Sequence, residues 1–100
     1  MIFDKHYRIL VVDDAKDSQM LLSFDLQAAG CEVISAGSGE IALSILNSTE
    51  IDLIILDMHM PGLSGLATLK RVKNNIRWQM IPVIMLSSSD AEEGVVSALE

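Results

Sequence analysis

The residues best suited to chemistry are polar side chains that each follow a short apolar run. Asp13 and Asp14 follow RILVV, Asp57 ends a run that begins at Ile51, and Ser87 follows IPVIML. If these runs are strands of one parallel sheet, their carboxyl ends lie at the same edge. Carboxylates brought so close repel one another, and they stay ionised at neutral pH only when a cation lies among them.

A cation among carboxylates at a sheet edge indicates a particular chemistry. Oxygen ligands of this kind favour Mg²⁺, which takes one or two carboxylates and keeps several waters. The backbone carbonyl of Met58 is a further candidate ligand beside Asp13, Asp14 and Asp57. A bound cation neutralises phosphate charge while a carboxylate oxygen attacks phosphorus. The pattern therefore predicts a site for phosphoryl transfer.

The segments that must position these residues alternate between apolar runs and helical patterns. The predicted strands are 8–12, 32–36, 51–57 and 81–86, and the predicted helices are 15–29, 40–46, 66–74 and 91–100. The first helix carries Met20, Leu21, Phe24 and Ala28 at helical spacing, which is typical of a helix with one apolar face. Regular alternation of short strands with helices predicts an α/β fold, a doubly wound parallel sheet with right-handed crossovers.

Length and composition restrict the class of protein. The chain has 100 residues, half of them hydrophobic, which predicts a single domain over residues 1–100. Its net charge of −7 would repel a phosphate backbone, so we expect no direct binding to nucleic acid. We expect no membrane span, because no apolar run approaches the roughly 20 residues that a bilayer requires. The N-terminus lacks the layout of a signal peptide and Cys31 is the only cysteine, so we expect a cytoplasmic protein.

Three strings of the sequence resemble the receiver domain of two-component response regulators. They are LVVDD at 10–14, LDMHMPGLSG at 56–65 and PVIMLSS at 82–88, and the resemblance extends over residues 8–100. It implies a flavodoxin-like fold with strand order 2-1-3-4-5, for which a member of this family is a standard example. It also implies a signalling phosphoacceptor rather than an enzyme, with at most slow self-catalysed phosphorylation and dephosphorylation.

The resemblance also implies a role for each candidate residue. Asp57 would accept a phosphoryl group from a histidine kinase or a phosphotransfer protein. Asp14 would bind Mg²⁺ directly and Asp13 would bind it through water, with Asp57 and the Met58 carbonyl as further ligands. Ser87 would be the switch hydroxyl, which hydrogen-bonds a phosphoryl oxygen and shifts the domain between two states.

The chain departs from the family pattern at its C-terminal end. The family has a fifth strand that ends in a lysine contacting the phosphoryl group, followed by a fifth helix, whereas the last lysine here is Lys73. We therefore expect a receiver that lacks the fifth strand and the fifth helix, either because it is C-terminally truncated or because it has lost that part. Its strand 81–86 would be an open apolar edge, which predicts a homodimer or a higher assembly.

Other function classes remain as alternatives. A receiver-like module for protein interaction or dimerisation that works without phosphorylation is favoured by the absent lysine. A haloacid-dehalogenase-like phosphatase also uses a nucleophilic Asp after a strand, but it needs a second Asp where this chain has His59. No G-x-G-x-x-G or Walker string follows the first strand, which argues against a nucleotide-binding protein.

Overall fold

The structure is a computed structural model that describes residues 7–86 and 96–99. Its elements in chain order are β1 (Arg8–Val12), α1 (Lys16–Ala28), β2 (Glu32–Ala36), α2 (Gly39–Ser48), β3 (Leu53–Asp57), α3 (Gly65–Lys73), β4 (Val83–Leu86) and β5 (Val96–Leu99). The sheet has the order β2-β1-β3-β4-β5, and its first four strands are parallel. The predicted flavodoxin-like α/β fold is confirmed.

The C-terminal segment differs from the prediction. Residues 96–99 form β5, which pairs antiparallel with β4 so that Leu86 lies opposite Val96; the predicted helix 91–100 is therefore wrong for these residues. An unpaired strand edge offers a row of N–H and C=O groups that favours pairing with a further strand. The prediction that 81–86 is an open edge, on which the predicted assembly was based, is also wrong, because β5 covers β4. Residues 87–95 and 100 lie outside the described part of the chain.

The two faces of the sheet are covered to different extents. Helices α2 and α3 lie on one face, where the core side chains are almost inaccessible to solvent, namely Leu10, Ile54, Leu56, Val83 and Met85. Helix α1 lies on the other face, where Ile9, Val11 and Ile55 are buried. On that same face Leu53, Ile84 and Leu86 are only half-buried. One face is therefore sealed and the other is partly open.

Helix α1 contributes less to the core than its apolar pattern predicts. None of its residues is buried, and it meets the sheet through the half-buried Leu22 and Leu26. The apolar set noted in the sequence instead faces outward, with Met20, Leu21 and Phe24 between 66% and 71% exposed. Among the residues that the structure describes, no helix combines the length and apolar character that a membrane crossing requires.

Gly65 allows α3 to begin directly against the end of β3. Its N–H donates to the carbonyl of Met58 at 3.2 Å. A Cβ at this position would overlap the carbonyl oxygen of Asp57, so only glycine fits without a backbone shift. Ser64 caps the helix, since its Oγ accepts the N–H of Ala67 at 3.1 Å. The turn after Asp57 is therefore tightly specified.

We predict that Gly65→Ala lowers the free energy of unfolding by about 2 kcal/mol or more, because the added methyl meets backbone rather than a movable side chain. Denaturant unfolding followed by the fluorescence of Trp78 measures this, since the indole is buried and is the only one in the chain. Gly37→Ala is the matched control, because a Cβ there meets nothing within 4 Å. Equal stability losses in the two variants would contradict the account of Gly65.

Candidate functional site

Parallel pairing of β1 and β3 brings the predicted acids together. Val12 pairs with Leu56, so Asp13 and Asp57 are the next residues on adjacent strands. Asp13, Asp14 and Asp57 each offer one carboxylate oxygen, and these three atoms lie within 4.8 Å of one another. The prediction that these acids meet at one sheet edge is confirmed.

Asp57 is buried at the end of β3, where it is 4% exposed and pairs with Leu86 of β4. The backbone N–H of His59 donates to its Oδ1 at 3.2 Å. The N–H of Met58 donates to the carbonyl of Leu86 at 3.0 Å, which fixes the peptide that follows the acid. The carboxylate is therefore oriented by the strand pairing and by the turn after it.

Asp13 is held by backbone groups on two sides. Its N–H donates to the carbonyl of Ala36 at 3.0 Å, and its Oδ1 accepts the N–H of Ala15 at 2.9 Å. Burial raises the pKa of the Asp13 carboxyl above its ordinary value; the Ala15 hydrogen bond opposes this rise, while the Asp57 and Asp14 carboxylates and a hydrogen bond with Asp57 add to it. An ionised Asp13 is therefore costly in this site without a cation.

Of the other predicted site residues, the structure describes Asp14 and Met58 but not Ser87. Asp14 is exposed, so its carboxylate faces solvent beside the two buried acids. The Met58 carbonyl follows Asp57 directly and accepts the N–H of Gly65, and a carbonyl oxygen has a second lone pair for a ligand. Ser87 lies outside the described residues, immediately after the end of β4.

The donor set fits a divalent cation that prefers oxygen ligands. Three carboxylates and a neighbouring backbone carbonyl are hard ligands, and the exposed Asp14 leaves one side of the cluster accessible to water. Proteins commonly bind Mg²⁺ with such oxygen ligands, through one or two carboxylates and several waters. Asp13, Asp14, Asp57 and Met58 are the residues that could hold it.

Lys73 is not placed to supply positive charge at this edge. Its Nζ donates to the carbonyls of Gln79 at 3.2 Å and Ile81 at 2.8 Å. Ile81 precedes β4, whereas the acids lie beside Leu86 at the other end of that strand. Lys16 is exposed and begins α1, two residues after Asp14, so it is the described lysine nearest to the acids along the chain.

Gln19 is a site residue that the sequence reasoning missed. Its Nε2 donates to the carbonyl of Asp13 at 3.0 Å and to that of Ala36 at 3.3 Å. The available signal was its spacing, since Gln19 lies three residues before Leu22 and seven before Leu26, on the side of α1 that meets the sheet. A polar residue on such a face, near an acidic pair, needs a hydrogen-bond partner.

Comparison with known sequences agrees with this geometry. The family model described as "Response regulator receiver domain" matches residues 9–100. The chain belongs to this family. Receiver domains are signalling phosphoacceptors rather than classical enzymes, and they interact with histidine kinases or phosphotransfer proteins. The phosphatase alternative is therefore wrong.

One curated relative is the alkaline phosphatase synthesis transcriptional regulatory protein PhoP of Bacillus subtilis (strain 168). It is 38% identical over 93 residues, which are 93% of this chain and 38% of PhoP. The chain therefore spans about two fifths of the length of this relative.

Two solved structures have the same fold. The N-terminal domain of a response regulator receiver protein from Methanoculleus marisnigri JR1 has a TM-score of 0.81 and 37% identity, over 89% of this chain and 76% of that one. The response regulator protein TrrA from Thermotoga maritima, in complex with Mg²⁺-BeF, has a TM-score of 0.68 and 42% identity, over 71% of this chain and 62% of that one.

We predict that Asp13→Asn raises the free energy of unfolding at pH 7 without Mg²⁺, by on the order of 1 kcal/mol, because it removes a buried charge from beside two others. A raised folded-state pKa means that the folded protein binds more protons than the unfolded chain, so stability falls as pH rises from the ordinary value of 3.8 through the raised pKa. The advantage of the variant should therefore shrink as the pH falls through that window. Denaturant unfolding over a pH series measures it.

Asp25→Asn is the matched control, because Asp25 is an exposed acid on α1. Its stability should stay within about 0.5 kcal/mol of the wild type at each pH. A loss of stability in Asp13→Asn at pH 7, measured in a chelator, would contradict the account of the acidic cluster.

Proposed function

We propose that the chain is the phosphoacceptor domain of a two-component system and that Asp57 receives the phosphoryl group. The observation that carries the proposal is the buried carboxylate of Asp57 with Asp13 and Asp14 within 4.8 Å. TrrA, a family member of known structure, was solved with Mg²⁺-BeF, which supports a divalent metal at the equivalent edge here. The phosphoryl donor is a histidine kinase or a phosphotransfer protein.

The chemical step is a displacement at phosphorus. A carboxylate oxygen of Asp57 forms a P–O bond while the P–N bond of a phosphohistidine breaks, and the departing imidazole nitrogen keeps the electron pair and takes up a proton. The N–H of His59 orients the nucleophile through Oδ1. Mg²⁺, when bound, neutralises the charge of the phosphoryl oxygens. By the resemblance to the family, Asp14 would hold the metal directly and Asp13 through water, with the Met58 carbonyl and Asp57 as further protein ligands.

Two further assignments belong to this proposal. Ser87, which lies outside the described residues, is the switch hydroxyl by its match to the family string. Residues 1–100 form a single receiver domain that does not itself bind nucleic acid, which its net charge of −7 supports.

We predict that phosphorylation of Asp57 by a small donor, phosphoramidate, is slow and stays well below one group per chain even with Mg²⁺. No lysine lies within residues 74–100, so a protein made of residues 1–100 lacks an electrostatic contact of a kind whose removal costs about 100- to 1,000-fold in rate. Intact mass measured over time follows the label.

Two variants make this measurement specific. Asp57→Asn keeps the shape of the side chain but removes the nucleophile, so any label should disappear. Lys16→Gln removes the exposed cation that begins α1. Rapid stoichiometric labelling that Lys16→Gln abolishes would show that Lys16 replaces the family's lysine. Rapid labelling in both the wild type and Lys16→Gln would show that neither the family's lysine nor Lys16 is needed.

A second candidate function is an interaction or dimerisation module that works without phosphorylation. The observation that favours it is the apolar outer face of α1, where Met20, Leu21 and Phe24 are mostly exposed. On the face of the sheet that carries α1, Leu53 and Ile84 are also only half-buried. Large exposed apolar patches mark interaction surfaces more often than chance. This surface therefore supports a homodimer or higher assembly. The edge of β4 does not, because β5 covers it.

We predict that the chain forms dimers at micromolar concentration and that Leu21→Ser weakens the dimer about tenfold, because truncating one apolar contact costs about 1.4 kcal/mol. Sedimentation equilibrium measures the dissociation constant. Ile76→Ser is the matched control, because Ile76 is 82% exposed but lies between α3 and β4 rather than on α1. A wild-type monomer throughout this range would contradict the dimer.

A further inference from the structure

Gln19 joins the ends of two strands at the acidic site. Asp13 directly follows β1, and Ala36 is the last residue of the neighbouring strand β2. The side-chain amide of Gln19 donates to the carbonyls of both. A primary amide has two N–H groups, so one side chain can serve both acceptors. The N–H of Asp13 also donates to Ala36, which closes a ring of three hydrogen bonds.

We infer that Gln19 is a positioning residue that holds Asp13 and Asp14 in the arrangement that binds Mg²⁺, an inference that rests on the proposed function. Gln19 does not contact the metal. It acts through the peptide between the two acids, whose carbonyl it holds.

The planarity of that peptide makes the contact effective. The carbonyl of Asp13 and the nitrogen and Cα of Asp14 lie in one rigid plane. A hydrogen bond that fixes the direction of the carbonyl therefore also restricts the position of the Asp14 Cα. This restriction matters most for Asp14, because its side chain is exposed and is not held in place by surrounding atoms of a core. The carboxylates also repel one another, and a hydrogen bond to the backbone resists the resulting displacement.

The weak apolar packing of α1 makes the hydrogen bonds of Gln19 more important for positioning this helix. No residue of this helix is buried, so apolar packing fixes its position only through half-buried contacts such as Leu22 and Leu26. The two hydrogen bonds of Gln19 tie the first turns of α1 to the sheet edge that carries the acids. Groups that orient metal ligands in this way typically change metal affinity by about 10- to 100-fold when they are removed.

The test compares Gln19→Met with Gln27→Met. Methionine keeps a similar length without charge or N–H donors, and Gln27 is exposed on the same helix about two turns further on. Mg²⁺ is titrated against the amide shifts of Asp13, Asp14 and Asp57. We expect Gln19→Met to weaken Mg²⁺ binding about tenfold, and Gln27→Met to leave it unchanged.

A second readout and a second variant separate positioning from folding. Amide exchange in metal-free protein should quicken at Asp13 but not at Leu10, in the middle of β1. Gln19→Asn keeps a polar amide that is one methylene shorter and cannot span both carbonyls, so Mg²⁺ binding should again weaken in a variant that stays folded. Unfolding followed by Trp78 fluorescence confirms the folded state of each variant.

The outcomes distinguish this inference from the proposed function. Wild-type protein that binds Mg²⁺ while both Gln19 variants bind it equally well overturns the inference alone. A loss of stability in these variants with unchanged Mg²⁺ affinity does the same, because it assigns Gln19 a merely structural role. Wild-type protein that binds no Mg²⁺ at this edge overturns the proposed function and the inference together.

Discussion

The acidic site depends on the parallel register of β1 and β3. Val12 and Leu56 are partners, so the two strands reach the edge in step and their next residues are both acids. Because side chains alternate between the faces of a strand, a slip of one residue would turn Asp57 to the opposite side of the sheet. The register is held by the apolar side chains of 9–12 in β1 and 53–56 in β3, with Leu10 and Ile54 almost inaccessible to solvent. The hydrophobic core therefore sets the geometry of the charged site.

The clustered, buried carboxylates of the site destabilise the folded state, whereas the hydrophobic core stabilises it. Burial and neighbouring carboxylates raise the pKa of Asp13, which means that its charged form is disfavoured where it stands. Backbone N–H groups of Ala15 and His59 offset part of this cost by donating to the two buried acids. A cation that bound only the folded arrangement would offset more of this cost and would stabilise the fold by an amount that grows with the logarithm of its affinity. Metal binding at these three carboxylates would therefore be coupled to the stability of the fold.

The parts of the fold that the sequence predicts are those with a local signal. An apolar run stopped by an acid marks a strand end, so β1, β3 and Asp57 were predictable. The strand at 96–99 was not, because its pairing with β4 is a tertiary contact and a ten-residue helix has little stability of its own. Helical spacing showed that α1 has an apolar face around Phe24, but not that this face is exposed. The bond from Gln19 to Ala36 joins residues 17 apart and follows only from the assembled strands.

The partly open face and the acidic site share one helix. Gln19 faces the sheet edge, and the next two residues, Met20 and Leu21, are exposed on the outside of the same turns. A molecule that seats on these apolar side chains therefore contacts the turn that holds the Asp13 carbonyl. The helices of the opposite layer, α2 and α3, are anchored by buried residues such as Leu46 and Val72, and α3 begins directly against the turn that follows Asp57. Helix α1 differs from both in carrying no buried residue, and its exposed Met20 and Leu21 directly follow the side-chain amide that holds the Asp13 carbonyl.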